Sequence, residues 1–158
     1  MSSTDVSPGA SAETAGLSTI DMNLEVVTLP VADVDRAKRF YRDLGWRLDA
    51  DIAISDEMRT VQFTPPQSQC SIQFGKGGTT AEPGSAQGTF LVVADIDAAR
   101  AELMSRGVDV SEVQEMRPPG FDAPGRSYFA RASFEDPDGN RWVLQEVTNR
   151  LPGREWED

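Results

Sequence analysis

The chain contains no histidine, so proton transfer near neutral pH would have to come from a carboxylate, thiol or phenol. Cys70 stands alone. As a nucleophile it would need an activating base, and with no histidine it reads instead as a buried or half-buried core thiol. Glu25, Glu146 and Tyr128 are the remaining candidates for proton chemistry, with Tyr41 assigned to a helix face. Arg59, Arg117, Arg126 and Arg131 could each grip a carboxylate through a guanidinium fork. Acidic side chains outnumber basic ones 26 to 15, so most such arginines are expected to pair with surface carboxylates. Phe121, Tyr128 and Phe129 lie in or beside the loop-like stretch 118–126, where rings can stack on a planar ligand or plug the loop itself. Gly75-Lys-Gly-Gly78 is too short for a phosphate cradle and lacks the helix that should follow it.

The formal charge of −11 repels phosphate backbones and anionic lipid, so nucleic acid and membrane surfaces are not expected partners. No stretch reaches the roughly 18 consecutive apolar residues of a membrane span. A lone cysteine fits a reducing, cytoplasmic setting. Residues 1–20 read as a disordered leader, rich in Ser, Thr and Ala and without a basic start.

The elements that must position these groups come as a repeat. Val31-Ala-Asp-Val-Asp-Arg-Ala37 returns as Val93-Ala-Asp-Ile-Asp-Ala-Ala99, sixty-two residues on. Each copy follows a strand pattern (24–29 and 89–93) and opens an apolar-periodic helix capped by Asp33 or Asp95. Each helix stops at a glycine, Gly45 or Gly107. Strands are expected over 46–52, 58–64 and 70–74 in the first copy, and over 108–113, 127–134 and 141–148 in the second. Pro65-Pro66 and Asp136-Pro-Asp-Gly-Asn140 supply the turns. The fold class is therefore α+β, two tandem βαβββ modules whose curved mixed sheets form half-barrels around a central cleft. The expected bounds are 21–75 and 88–149, with a link at 76–87 and a tail at 150–158.

With these residues, the tandem unit resembles the vicinal oxygen chelate superfamily of glyoxalases, bleomycin-resistance proteins, extradiol dioxygenases and fosfomycin-resistance enzymes. The resemblance covers roughly residues 22–149. It rests on Leu29 to Ala37, Phe40-Tyr41 with Leu44-Gly45, the second Val-Ala-Asp-Ile-Asp, and the Asp136–Asn140 turn. It implies the fold but no single reaction. Metal-dependent members hold one divalent ion with four inward side chains, and those positions fall here on Val26, Ser71, Gly88 and Val143. Valine and glycine offer no ligand atom and serine is a poor ligand for Zn, Ni or Fe, so neither metal nor cofactor is expected.

Strand alternation from Ser71 and Val143 turns Gln73 and Gln145 inward, with Thr28 sharing the side of Val26. Trp142 then faces the helix side, and no inward residue clearly supplies a base. The expected ligand-binding set is Thr28, Arg59, Ser71, Gln73, Phe121, Tyr128 and Gln145, around a neutral or partly aromatic small molecule. Three functions stay open: a metal-free binding protein, a lyase, isomerase or cyclase working without the usual metal, and a structural dimer with a vestigial cleft. A homodimer is expected in each case, because open sheet edges need covering.

Overall fold

The computed structural model describes residues 16–120 and 125–154. Most of the leader, Phe121 and the end of the tail lie outside the described residues. The first module runs β1 (Val26–Thr28), α1 (Val34–Asp43), β2 (Arg47–Ser55), β3 (Met58–Thr64) and β4 (Ser71–Lys76). The second repeats it as β5 (Thr89–Val93), α2 (Ile96–Ser105), β6 (Gln114–Glu115), β7 (Ala130–Glu135) and β8 (Arg141–Glu146). Each module is an open four-stranded mixed sheet, ordered β1-β4-β3-β2 and β5-β8-β7-β6. The first strand of each pairs parallel to the last, and the remaining pairs are antiparallel.

Both helices begin as their sequences dictate. Asp33 accepts the Arg36 amide at 3.0 Å and Asp95 the Ala98 amide at 3.1 Å, so each cap satisfies one orphan donor of a first turn. Gly45, at φ 84°, takes the left-handed conformation that lets the chain leave α1 cheaply. Val34, Ala37 and Tyr41 form the buried stripe of α1.

The expected strand over 108–113 does not form; Gln114 and Glu115 pair with β7, and upstream of them the Ser111 amide alone donates to a β7 carbonyl, that of Ser133, at 2.9 Å. Side chains compete for the backbone groups that a ladder would need. Arg100 Nε donates to the Ser111 carbonyl at 2.7 Å, and the Ser111 hydroxyl accepts the Ser133 amide at 2.9 Å. The apolar residues that suggested a strand still pack, since Val110 is buried and Val108 and Val113 lie against the core.

One core joins the modules, and it runs through their helix-bearing faces. Tyr41 meets Trp142 and Trp46 meets Trp142 with ring centroids 6.2 and 5.1 Å apart, while Phe40 approaches Phe134 at 6.4 Å. A buried hydrogen-bond cluster fixes the same seam. Tyr41 donates to Asp136 Oδ2 at 2.7 Å, and Trp142 Nε1 donates to the Tyr41 hydroxyl at 3.0 Å. Asn140 Nδ2 reaches both Asp136 Oδ2 and the Pro30 carbonyl at 2.8 Å. The Asp136–Asn140 turn therefore serves the module junction as well as its own hairpin. The helix-free face of each sheet lies away from this seam.

Candidate ligand-binding faces

The residues available to a ligand are those on the helix-free faces, and the strand ladders assign them. In the first module Val26 pairs with Ser71 and Thr28 with Gln73. Gln62 stands across from Gln73 on β3, so all share one face. Ile72 and Phe74, on the alternate positions, are buried in the core. In the second module Val143 pairs with Phe90 and Ser133, and Gln145 with Val92 and Arg131. Trp142 and Leu144 are buried on the helix side.

Three of the expected residues gather in the first module. Gln73 Nε2 donates to the Thr28 hydroxyl at 2.9 Å, and the Ser71 and Thr64 hydroxyls share a hydrogen bond of 2.6 Å. Thr64 also donates to Asp49, which binds Arg47 Nε at 2.5 Å. Asp49 is thus a carboxylate on the helix-free side, held by Thr64 and Arg47. Arg47 first and Thr64 next hold its carboxyl below the usual carboxylate range. An acid that gives up its proton so readily is a weak general base and a good hydrogen-bond acceptor.

In the second module Gln145 Nε2 donates to the Tyr128 carbonyl at 2.9 Å. Tyr128 sits at φ 70°, a costly conformation for a residue with a side chain, and its amide donates to the Glu146 carbonyl at 2.7 Å. The Tyr128 hydroxyl accepts the Leu151 amide at 3.2 Å. Its ring is thereby tied to the C-terminal segment. Among the described residues no hydrogen bond reaches Oε1 of Gln73 or Gln145.

Arg59 is placed apart from this group. Alternation puts it on the helix side with Val61 and Phe63, where it binds Asp35 and Asp51 at 2.9 Å. Arg126 is likewise engaged, bridging Glu146 and Asp97 at 2.7 Å. Glu146 caps α2 through the Ile96 amide at 3.1 Å, a structural use of the carboxylate. The Arg117 guanidinium lies over the Phe129 ring at 4.5 Å. Arg131 is half-buried on the helix-free face, 5.4 Å from the Phe90 ring. Cys70 is half-buried and burial raises its thiol pKa, which disfavours the nucleophilic thiolate.

The ladder also revises one wall position. Counting back from Asp95 selects Gly88, but the residue beside Val143 is Phe90. The count assumed equal strand-to-helix links, whereas five residues separate β1 from α1 and two separate β5 from α2. The four wall residues are then Val26, Ser71, Phe90 and Val143. Their only heteroatom is a serine hydroxyl already bonded to Thr64. This set does not fit a transition metal, and the described residues contain no group of three or more Asp, Glu, Cys or His side chains placed to hold one.

Asp49, Gln62, Thr64 and Phe90 were not singled out from the sequence. Gln62 and Thr64 were accessible by alternation along 58–64, and Phe90 by pairing its strand with the last one.

The family model Glyoxalase/Bleomycin resistance protein/Dioxygenase superfamily matches residues 23–144. TnmS3, an antibiotic binding protein from Streptomyces sp. CB03234, is 30% identical with a TM-score of 0.66, over 84% of this chain and 100% of its own. A glyoxalase/bleomycin resistance protein from the same organism is 31% identical with a TM-score of 0.62, over 78% and 99%. A superfamily member from Sphaerobacter thermophilus DSM 20745 is 29% identical with a TM-score of 0.64, over 80% and 98%. No curated protein gives a match.

Proposed function

Because this chain belongs to the Glyoxalase/Bleomycin resistance protein/Dioxygenase superfamily, we propose that it is a metal-free binding protein for a small, partly aromatic molecule of the antibiotic type. One observation carries this reading: the four family wall positions hold Val26, Ser71, Phe90 and Val143, an apolar surface with one hydroxyl. Such a wall has no Lewis acid to stabilise an enediolate, so glyoxalase chemistry is not its function. It can bury an apolar ligand body while Asp49 and the Gln73 and Gln145 oxygens accept hydrogen bonds from the ligand's hydroxyls or amines. The likeness to an antibiotic-binding protein supports the same class of guest.

The working form in this proposal is a homodimer. Ile52, Met58, Phe90 and Val92 lie on the helix-free faces and are 41–56% exposed. The first-module face carries Asp49, and the second-module face carries Arg131 and Arg141. A second copy would join unlike faces, first module to second, and cover the apolar residues of both with complementary charge. The ligand would then lie between the two copies.

The test is a thermal-shift screen of aromatic natural-product antibiotics, with elemental analysis of the untagged protein. A guest at 100 times its Kd should add about 2.7 kcal/mol of stability, and metal should be far below one equivalent. Failure of every compound, together with metal-dependent turnover of a methylglyoxal–thiol adduct, would overturn the proposal. A metal-free enzyme is the second reading, favoured only by the inward carboxylate of Asp49. Its depressed pKa weighs against a role as base.

A further inference from the structure

Four arginines were candidates for gripping an anion, and the structure commits three of them. Arg59 and Arg126 each hold two carboxylates, and Arg117 lies on a ring. Arg131 differs. Its Nε is buried and has no hydrogen-bond acceptor among the described residues. A buried guanidinium donor without an acceptor is costly, and a bound anion is one acceptor that would satisfy it.

The surroundings of Arg131 are those of a pocket. It stands between Gln114 and Gln145 on the β-ladder, on the helix-free face. With Phe90, Met116, Ser133 and Val143 it lines a cavity of about 250 Å³, near the lower edge of small-ligand sites. Glu112 and Arg141 are the other charged residues lining it. The Phe90 ring, 47% exposed, offers a flat apolar surface 5.4 Å from the guanidinium carbon.

We propose that this cavity is an anion-anchored aromatic subsite, in which Arg131 binds a carboxylate or ionised phenol while the attached ring lies against Phe90 and Val143. The assignment rests on the small-molecule-binding reading and narrows it to planar aromatic acids. A guanidinium in a half-buried site gains most from a charged acceptor, because hydrogen bonds to ionised partners are shorter and stronger than neutral ones. Arg141, two same-face positions from Gln145 along β8, is a second cation on the lining, beside Glu112. Ser133 and Gln114 can hold a second polar group at the ring's edge.

The probes are 2-naphthoate and its neutral analogue 2-naphthamide, titrated into the full chain with amide chemical shifts followed by NMR. The acid should bind at least about tenfold more tightly than the amide, with the largest shifts at Phe90, Arg131, Ser133 and Val143. Arg131→Met should remove that preference, weakening the acid at least about tenfold and the amide less, since the amide oxygen loses only a neutral hydrogen bond. Arg131→Lys keeps the charge without the fork and should retain part of the preference. If the Met variant unfolds, the Lys variant and the wild-type acid-to-amide ratio decide. Equal binding of acid and amide, unchanged acid affinity in Arg131→Met, shifts confined to other residues, or no binding of either probe at millimolar concentration would each overturn the subsite. An antibiotic that binds wild type and Arg131→Met alike would remove this anchor and leave the broader binding function standing.

Discussion

Strand alternation alone put Gln73 and Gln145 on one face of each sheet, and the ladders set them on the helix-free faces with their amide nitrogens held by Thr28 and Tyr128. Replacing both with leucine should cost a hydroxylated guest about 1–3 kcal/mol of affinity, as its donors lose acceptors in a desolvated site. Titration calorimetry against a hit from the screen measures this, and unchanged affinity would move the site elsewhere. Asp49 was not legible in the same way. The β2–β3 register shifts between Leu48 and Ala50, so Asp49 is the extra residue of an irregularity that alternation cannot read through. Arg59 is the opposite case. Its alternation with the buried Val61 and Phe63 already pointed to the helix side, where it pairs with Asp35 and Asp51.

At the scale of elements, Asp51 ties the β2–β3 ribbon to α1. Arg59 first, and then Lys38, hold its carboxyl far below the ordinary value of 3.8. The folded chain therefore resists protonating Asp51 more than the unfolded chain does. The resulting stability is present above about pH 4 and is lost as pH falls below that value. Asp51→Asn should lower the melting temperature at pH 7 and flatten its decline between pH 4 and pH 2, readable by circular dichroism. An equally steep decline in the variant would show that Asp51 is not part of that titration. The helices were legible because caps, periodic apolar residues and terminal glycines agree. The strand expected over 108–113 was not, because Arg100 and Ser111 claim backbone groups from positions that only folding brings near.

For the whole molecule, the junction between modules depends on Tyr41. Its hydroxyl bonds Asp136 and Trp142, and burial, followed by the Asp136 charge, raises its pKa well above the ordinary 10.0. Tyr41→Phe leaves Asp136 and the indole N–H each short of a partner. It should destabilise the chain by about 1–3 kcal/mol, or roughly 2–4 °C in Tm per kcal/mol for a chain of this size. Chemical denaturation checks it, and a change within 0.5 kcal/mol, about the spread of ordinary surface substitutions, would mean that the cluster contributes little. The proposed pairing of copies makes a second claim at this scale. Sedimentation should give a dimer at micromolar concentration, and Ile52→Asp should weaken it by placing a carboxylate on the apolar surface that the second copy covers. A monomer would refute the pairing.

Composition and spacing by themselves determined the repeat, both helix caps and the order of elements. These follow from local rules, in which a cap, a turn or a period of two acts over a few residues. Tertiary structure alone decided which candidate arginines hold carboxylates, which residue stands beside Val143, and which faces join the modules. Those outcomes depend on contacts between residues such as Arg36 and Asp138, 102 positions apart in the chain, and no local period reports such distances. The same motif, Asp136 to Asn140, shows both sides. Its turn was plain in the sequence, and its hold on Tyr41 and Pro30 appeared only once the two modules were packed together.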